Sequence, residues 1–214
     1  MDYFPLKESG ISFKEAKKDF DAAMRIYEEA FPSRERQLRR VIEKRVTTGS
    51  EHLWVGKEGG KVVFMSLVFP LSGMDYLLLD YMAVSKDMRG KGIGMSFIEM
   101  LAHKVVSSGK SVVLEVEDPS SGDNVNQRKR RITFYRRSGA KMLKGMKYLL
   151  PPLDGTKPTD MLLFAYPLGS TSSLSGNSVR KLVSALYEQV YGMDLHHPLV
   201  AKTMSTIGER IALV

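Results

Sequence analysis

Apolar residues recur at three- and four-residue spacings near the start of the chain: Phe13, Ala16, Phe20, Ala23, Met24, Ile26, Tyr27 and Phe31. That period predicts an amphipathic helix over 13–30, which Pro32 ends. Ser33 reads as the N-cap of a second helix carrying Leu38, Val41, Ile42 and Val46, closed at Thr47-Thr48-Gly49. The texture then changes: His52-Leu53-Trp54-Val55, a turn at Glu58-Gly59-Gly60, and an apolar run over 62–69 predict a β-hairpin. The run over 76–84 is nearly all apolar, as expected of a central strand covered on both faces. Helical spacing returns through Met95, Phe97, Ile98, Leu101 and Val105, stops at Gly109, and gives way to a buried strand over 111–116. Residues 76–117 thus read as one β-α-β unit.

A helix over roughly 127–137 follows, ended by Ser138-Gly139, and then two strands over 143–150 and 161–167 joined by a Pro- and Gly-containing loop. The element order α-α-β-β-β-α-β-α-β-β predicts a mixed α/β sheet. Residues 169–177 are Ser/Gly-rich and have linker composition. Beyond them Val179, Leu182, Val183, Leu186, Tyr187, Val190 and Tyr191 form an apolar stripe, with a weaker second helix over 199–211. The expected organisation is a main domain over 1–168, a linker over 169–177 and a helical extension over 178–214. The stripe on that extension needs cover, from the main domain or from a second copy in a homodimer.

Composition narrows the class. A chain of 214 residues, 43% hydrophobic and 26% charged, can bury a sizeable core and is neither disordered nor fibrous. It has no cysteine, which excludes disulfides, thiolate zinc sites and a cysteinyl intermediate. The N-terminus lacks the apolar stretch of a secretory signal, and the longest apolar runs fall far short of the roughly 20 residues that cross a bilayer. A soluble, cytoplasmic protein without a membrane partner is the expectation.

The net charge of +8 is concentrated: nine Lys and Arg residues and no acidic residue lie within 125–151. A basic segment on an otherwise balanced chain fits nucleic acid, one anionic small ligand, or simply a solvated helix face. The glycines decide more. Met82-Ala83-Val84 ends a strand, and Arg89-Gly90-Lys91-Gly92-Ile93-Gly94-Met95 leads directly into a helix. Glycines at alternate positions leave backbone amides uncovered at a helix N-terminus, where an anion such as a phosphate is favoured. The spacing is neither that of the P-loop nor that of the dinucleotide fingerprint, and a bare strand-helix turn is the competing reading.

Arg89-x-x-Gly92-x-Gly94 after a strand ending in Val84 resembles the pyrophosphate loop of the GNAT superfamily of acyl-CoA-dependent N-acyltransferases. The resemblance covers most of 20–167. Phe31-Pro32-Ser33-Arg34-Glu35-Arg36 is similar to the break between the first two helices of that family, and 132–140, Ile-Thr-Phe-Tyr-Arg-Arg-Ser-Gly-Ala, to its late aromatic-Tyr-x-x-x-Gly signature. The fold it implies is a largely antiparallel central sheet with one splayed parallel strand pair, here with the C-terminal helical extension added. It further implies that acetyl-CoA is the co-substrate, that the amides of Arg89, Gly90, Lys91, Gly92, Ile93, Gly94 and Met95 hold its pyrophosphate, and that main-chain groups around Met82, Ala83 and Val84 pair with its pantetheine arm. Tyr135 matches the position whose phenol protonates the departing thiolate. Where the family carries Asn and Ala before that tyrosine, this chain has Arg128 and Arg131, whose guanidinium groups could reach CoA phosphates. Ala140 stands where an aromatic is usual.

Direct transfer to an amine needs a base. The candidates are Asp80, a carboxylate interrupting a buried strand, and Glu115 and Glu117, which share one face of the next strand. For each, a salt bridge to the basic helix is the competing reading, and Glu35 is a further acceptor-site candidate. His196-His197, His52 and His103 have no third ligand partner in the sequence, so no metal is assigned. The function implied is transfer of an acetyl group from acetyl-CoA to a primary amine, a small cationic one, in a ternary complex. The rival in another class is a non-catalytic acyl-CoA-binding regulator, and the intact glycine loop argues against a nucleic-acid binder.

Overall fold

A computed structural model describes residues 11–121, 124–153, 157–166 and 171–214. The chain divides into two compact units, one of residues 1–70 and 79–104, the other of 71–78 and 105–214.

In the first unit four strands lie in the order β1 (Ser12–Glu15), β2 (His52–Glu58), β3 (Lys61–Pro70) and β4 (Tyr76–Val84), β4 beginning in the second unit. The predicted hairpin is the antiparallel pair β2/β3. Residues 12–15 are a strand, where periodicity predicts helix, and they pair antiparallel with β2. The cause is tertiary: Phe13, 1% exposed, sits edge-on against Phe64 and Phe97 at 5.1 and 5.3 Å. Gly56, paired with Phe13, admits the ring, since a Cβ there would lie 3.0 Å from it. Helix α1 (Phe20–Ala30) therefore starts later, and buries Ala23, Met24, Ile26 and Tyr27 against Leu53, Val55, Met65, Leu67 and Tyr81.

The second helix, α2 (Arg39–Thr48), begins six residues beyond the expected Ser33 cap, which makes only a 3-10 turn. Two phenols account for the delay. Tyr81 Oη donates to the Glu35 carbonyl at 3.0 Å and accepts from the Gln37 amide at 3.2 Å, while Tyr27 Oη donates to the Gln37 carbonyl at 3.3 Å. Main-chain groups satisfied by side chains are withheld from a helical ladder. Helix α3 (Ile93–Ser107) follows the glycine turn.

In the second unit, β5 (Ser111–Glu117), β6 (Lys141–Lys144), β7 (Tyr148–Leu150), β8 (Thr159–Ala165), β9 (Ser173–Ser175) and β10 (Arg210–Leu213) form a sheet ordered β5-β8-β6-β10-β9, with β7 also on β8. These pairs are antiparallel. The Ser111 amide donates to the Asp75 carbonyl at 2.9 Å, so β4 and β5 start side by side and run parallel, the parallel pair expected of the fold. The basic helix is α4 (Val125–Arg137). The single strand expected over 143–150 is two, broken at Gly145, whose φ of 92° lies in the left-handed region.

The tail is woven into this unit. Helix α5 (Gly176–Ala185) runs into a π-helical turn, Leu186–Val190, and α6 (Pro198–Met204) ends early. Residues 210–213, expected as helix, alternate exposed and buried as β10, between β6 and β9. Of the connector expected over 169–177, residues 173–175 are β9 and 169–170 lie outside the described residues.

Candidate active site

The strand-turn-helix stretch of the first unit carries its chemistry in the backbone. Gly90 and Gly92 adopt φ of 80° and 76°, and the space where their Cβ atoms would lie is open to at least 4 Å. The first turn of α3 holds no acidic residue, and Ser96 is the residue whose amide reaches back to the Gly92 carbonyl, at 3.0 Å. By helix geometry the amides of Ile93, Gly94 and Met95 precede the first intrahelical acceptor and face outward. Arg89 is not a free cation: Nε donates to the Val84 carbonyl at 3.1 Å and Nη2 pairs with Glu29 at 2.9 Å. Its side chain ties the turn to the end of β4 and to α1. Lys91 is exposed, with Nζ 3.1 Å from Met88 Sδ. An unopposed helix N-terminus behind side-chain-free space fits a diphosphate. Met82 and Val84 are half-buried and Ala83 is 7% exposed.

Asp80 belongs to a buried polar chain. Arg45 Nη1 donates to Gln37 Oε1 at 2.8 Å, and Gln37 Nε2 lies 3.5 Å from Asp80 Oδ2. The group on the other side of Asp80 is one that sequence reasoning missed, Glu51, 1% exposed. Burial first, then the Glu51 charge, hold Asp80 well above the usual carboxylate range; burial also raises Glu51, which a hydrogen bond from Asp80 and the charge of Arg45 partly offset. Two adjacent buried carboxyls disfavour a second charge, and Asp80 is the one raised more strongly. In the sequence Glu51 stands in a Gly-Ser-Glu-His turn, where an exposed residue is the ordinary expectation.

In the second unit β5 presents its two glutamates differently. Glu117 is gripped by α4: Arg128 Nη2 lies 2.8 Å from one oxygen and Arg131 Nη1 3.0 Å from the other. Arg128, 6% exposed, also donates to the carbonyls of Asp118 and Ser121. Its guanidinium is spent inside the protein. Glu115 meets two phenols, Tyr148 Oη on Oε1 and Tyr191 Oη on Oε2. Tyr135 is half-buried on α4, its ring 5.2 Å from that of Phe134. Burial raises its phenol, partly offset by the Arg131 charge, so it holds its proton through the neutral range. Among the described residues no group of three or more His, Asp or Glu side chains could hold a metal ion, and no helix is long and apolar enough to cross a membrane.

Residues 49–139 match the family profile described as an acetyltransferase (GNAT) domain. YjbC of Bacillus subtilis (strain 168), named as a candidate acetyltransferase, is 28% identical over 116 residues, 54% of this chain and 56% of YjbC, so the match spans little more than half of that relative. A candidate GNAT acetyltransferase from Bacteroides thetaiotaomicron superposes with a TM-score of 0.71 at 20% identity, over 85% of this chain and 99% of the other. The candidate acetyltransferase yncA of Salmonella typhimurium, solved with acetyl-CoA, gives 0.55 at 17% identity, over 77% and 97%.

Proposed function

We propose that this chain, whose residues 49–139 match the GNAT acetyltransferase profile, is a GNAT-type acetyltransferase that moves an acetyl group from acetyl-CoA to a primary amine by direct attack in a ternary complex. The observation that carries this reading is the turn at 89–95, with two left-handed glycines, open space ahead of them and an α3 N-terminus free of acidic residues. The amides of Gly90 to Met95 would hold the CoA diphosphate, and main-chain groups of Met82 to Val84 its pantetheine arm. Acetyl-CoA supplies the thioester carbon that the amine attacks.

The chain's own residues then divide the proton work. The amine arrives as an ammonium ion and must lose a proton before it can attack. The Asp80–Glu51 pair, where burial raises both carboxyls, would accept it. Tyr135 keeps its phenolic proton at neutral pH and would deliver it to the CoA thiolate. Glu117 and Arg128, committed to one another, serve the scaffold. The absence of cysteine fits transfer without a thiol-bound intermediate.

Acetyl-CoA at about 100 times its Kd should stabilise the protein by about 2.7 kcal/mol, a Tm rise of roughly 5–11 °C for a chain of this size. Gly92→Glu, which puts a carboxylate into the space before α3, should abolish the shift. Release of free CoA on adding amines then tests the reaction itself. A protein that binds acetyl-CoA but acetylates no amine would be the regulator instead, and no thermal shift would reduce the glycine stretch to a turn.

A further inference from the structure

Tyr166 follows β8 in the second unit and is 6% exposed. Its main chain is held by the start of β5: its amide donates to the Val112 carbonyl at 2.8 Å, and its carbonyl accepts from Ser111 Oγ. Its hydroxyl reaches Ser138 Oγ, at 2.5 Å, just past the last turn of α4. Ser138 Oγ in turn donates to the Tyr135 carbonyl at 2.7 Å. A serine hydroxyl has one proton and a carbonyl can only accept, so Tyr166 is the donor in its bond to Ser138. Burial raises the Tyr166 phenol, the Ser138 bond offsets part of this and the Tyr135 phenol adds to it, so that proton stays in place at neutral pH. The two bonds run in series, Tyr166 to Ser138 to Tyr135, and each polarises the next. The receiving carbonyl also closes α4. The Ala140 amide donates to it at 3.0 Å and the Gly139 amide to the Arg136 carbonyl at 3.1 Å, with Gly139 at a φ of 94°, the paired bonds of a Schellman cap. An amide already satisfies the Tyr135 carbonyl, so ending the helix does not by itself require the two hydroxyls.

We infer that Tyr166 is a positioning residue for Tyr135, acting through Ser138 to fix the backbone that carries the Tyr135 phenol. The last turn of a helix frays readily, and proton transfer depends steeply on where the donor stands. A strand-anchored phenol tied to that turn holds the donor in one place. Every group in this chain of bonds belongs to the second unit. The inference rests on the reading of Tyr135 as the acid that protonates the CoA thiolate.

The test uses the full chain at saturating acetyl-CoA and follows free CoA release with 1,4-diaminobutane, lysine or an alanine-terminated peptide, taking the amine of highest kcat/KM. Tyr166→Phe keeps the ring and removes the donor, and Ser138→Ala removes the bridge. Each should lower kcat roughly five- to tenfold, the weight of one hydrogen bond, and leave both KM values within about twofold of the parent. Ser138→Thr, which retains the hydroxyl, should keep kcat near that of the parent. In a Tyr135→Phe background no phenolic proton is left to place, so adding Tyr166→Phe should lower kcat no further. An additive loss there overturns the inference, because a merely structural Tyr166 acts whether or not Tyr135 has its hydroxyl. So does an unchanged kcat in both Tyr166→Phe and Ser138→Ala. Independently of turnover, in protein whose tyrosines carry carbon-13 at Cζ, the NMR signal lost in Tyr135→Phe should shift in Tyr166→Phe and in Ser138→Ala, and a signal unmoved in both overturns the positioning. An unchanged kcat in Tyr135→Phe itself removes the acid and the inference with it, whereas turnover of none of the three amines overturns the amine reading and leaves the NMR signal to decide the positioning.

Discussion

Replacing Glu117 with Gln removes one charge from a site where two guanidinium groups converge. The Glu117 side chain is 12% exposed and that of Arg128 7%. In the variant Arg128 keeps the carbonyls of Asp118 and Ser121 but loses its counter-ion, and its Nε already has no partner among the described residues. Breaking a buried ion pair from one side costs about 3–5 kcal/mol. Gln retains one acceptor oxygen, which places the cost at the lower end, about 3 kcal/mol. Arg131, with its side chain 31% exposed, adds little, because water screens it. At about 2–4 °C per kcal/mol for a chain of this size, Tm should fall by about 6–12 °C. Thermal unfolding at pH 7, read by circular dichroism and calorimetry, measures this, and kcat taken well below the transition should stay near that of the parent. Arg128→Met should cost a comparable amount, and Glu117→Leu with Arg128→Met less than the sum of the two single changes. An unchanged Tm with a collapsed kcat would refute the reasoning and return Glu117 to the chemistry.

Two further outcomes follow from the proton positions. Tyr135→Phe should lower kcat by about 10²-fold, the lower range for a lost general acid, with little change in acetyl-CoA affinity by calorimetry; because burial raises the phenol, the parent should show no fall in kcat from Tyr135 ionisation below about pH 10. Asp80→Asn should be nearly neutral for stability around pH 4 and increasingly stabilising as pH rises, since the native protein holds a proton there that the unfolded chain gives up near pH 4. The stability linked to that proton is fully present below the unfolded pKa and is lost as pH climbs through the raised native one. Tm differences between parent and Asp80→Asn at acidic and mildly alkaline pH read the sign directly, and a variant less stable than the parent at the higher pH would contradict the raised Asp80 carboxyl.

The β-α-β unit and the glycine turn were legible because their causes are local. Strand 76–84, the φ > 0 glycines and the helix after them are dictated by residues within the segment itself. The errors lie where a distant group decides. Phe13 reads as one tooth of a helical stripe, but its pocket is built by Phe64, Phe97 and the missing side chain of Gly56. Ser33 reads as a cap, but the main chain it would start is held by phenols from α1 and β4. Residues 210–213 fit either period over so short a span, and pairing on both sides by β6 and β9 settles them as strand.

The acidic candidates mark the limit of such reading most sharply. Asp80, Glu115 and Glu117 are alike in the sequence, single carboxylates in apolar strands whose burial must be compensated. What separates them is the chemistry of the group each meets, and every one of those partners is remote in sequence. Two guanidinium groups grip Glu117, so its removal strands Arg128. Two phenols donate to Glu115, one to each oxygen. Burial and then a second carboxyl, partly offset by the charge of Arg45, hold Asp80 well above the usual carboxylate range. The three carboxylates therefore stand in three different electrostatic environments, set by the partners the fold brings to each and not by the residue type they share.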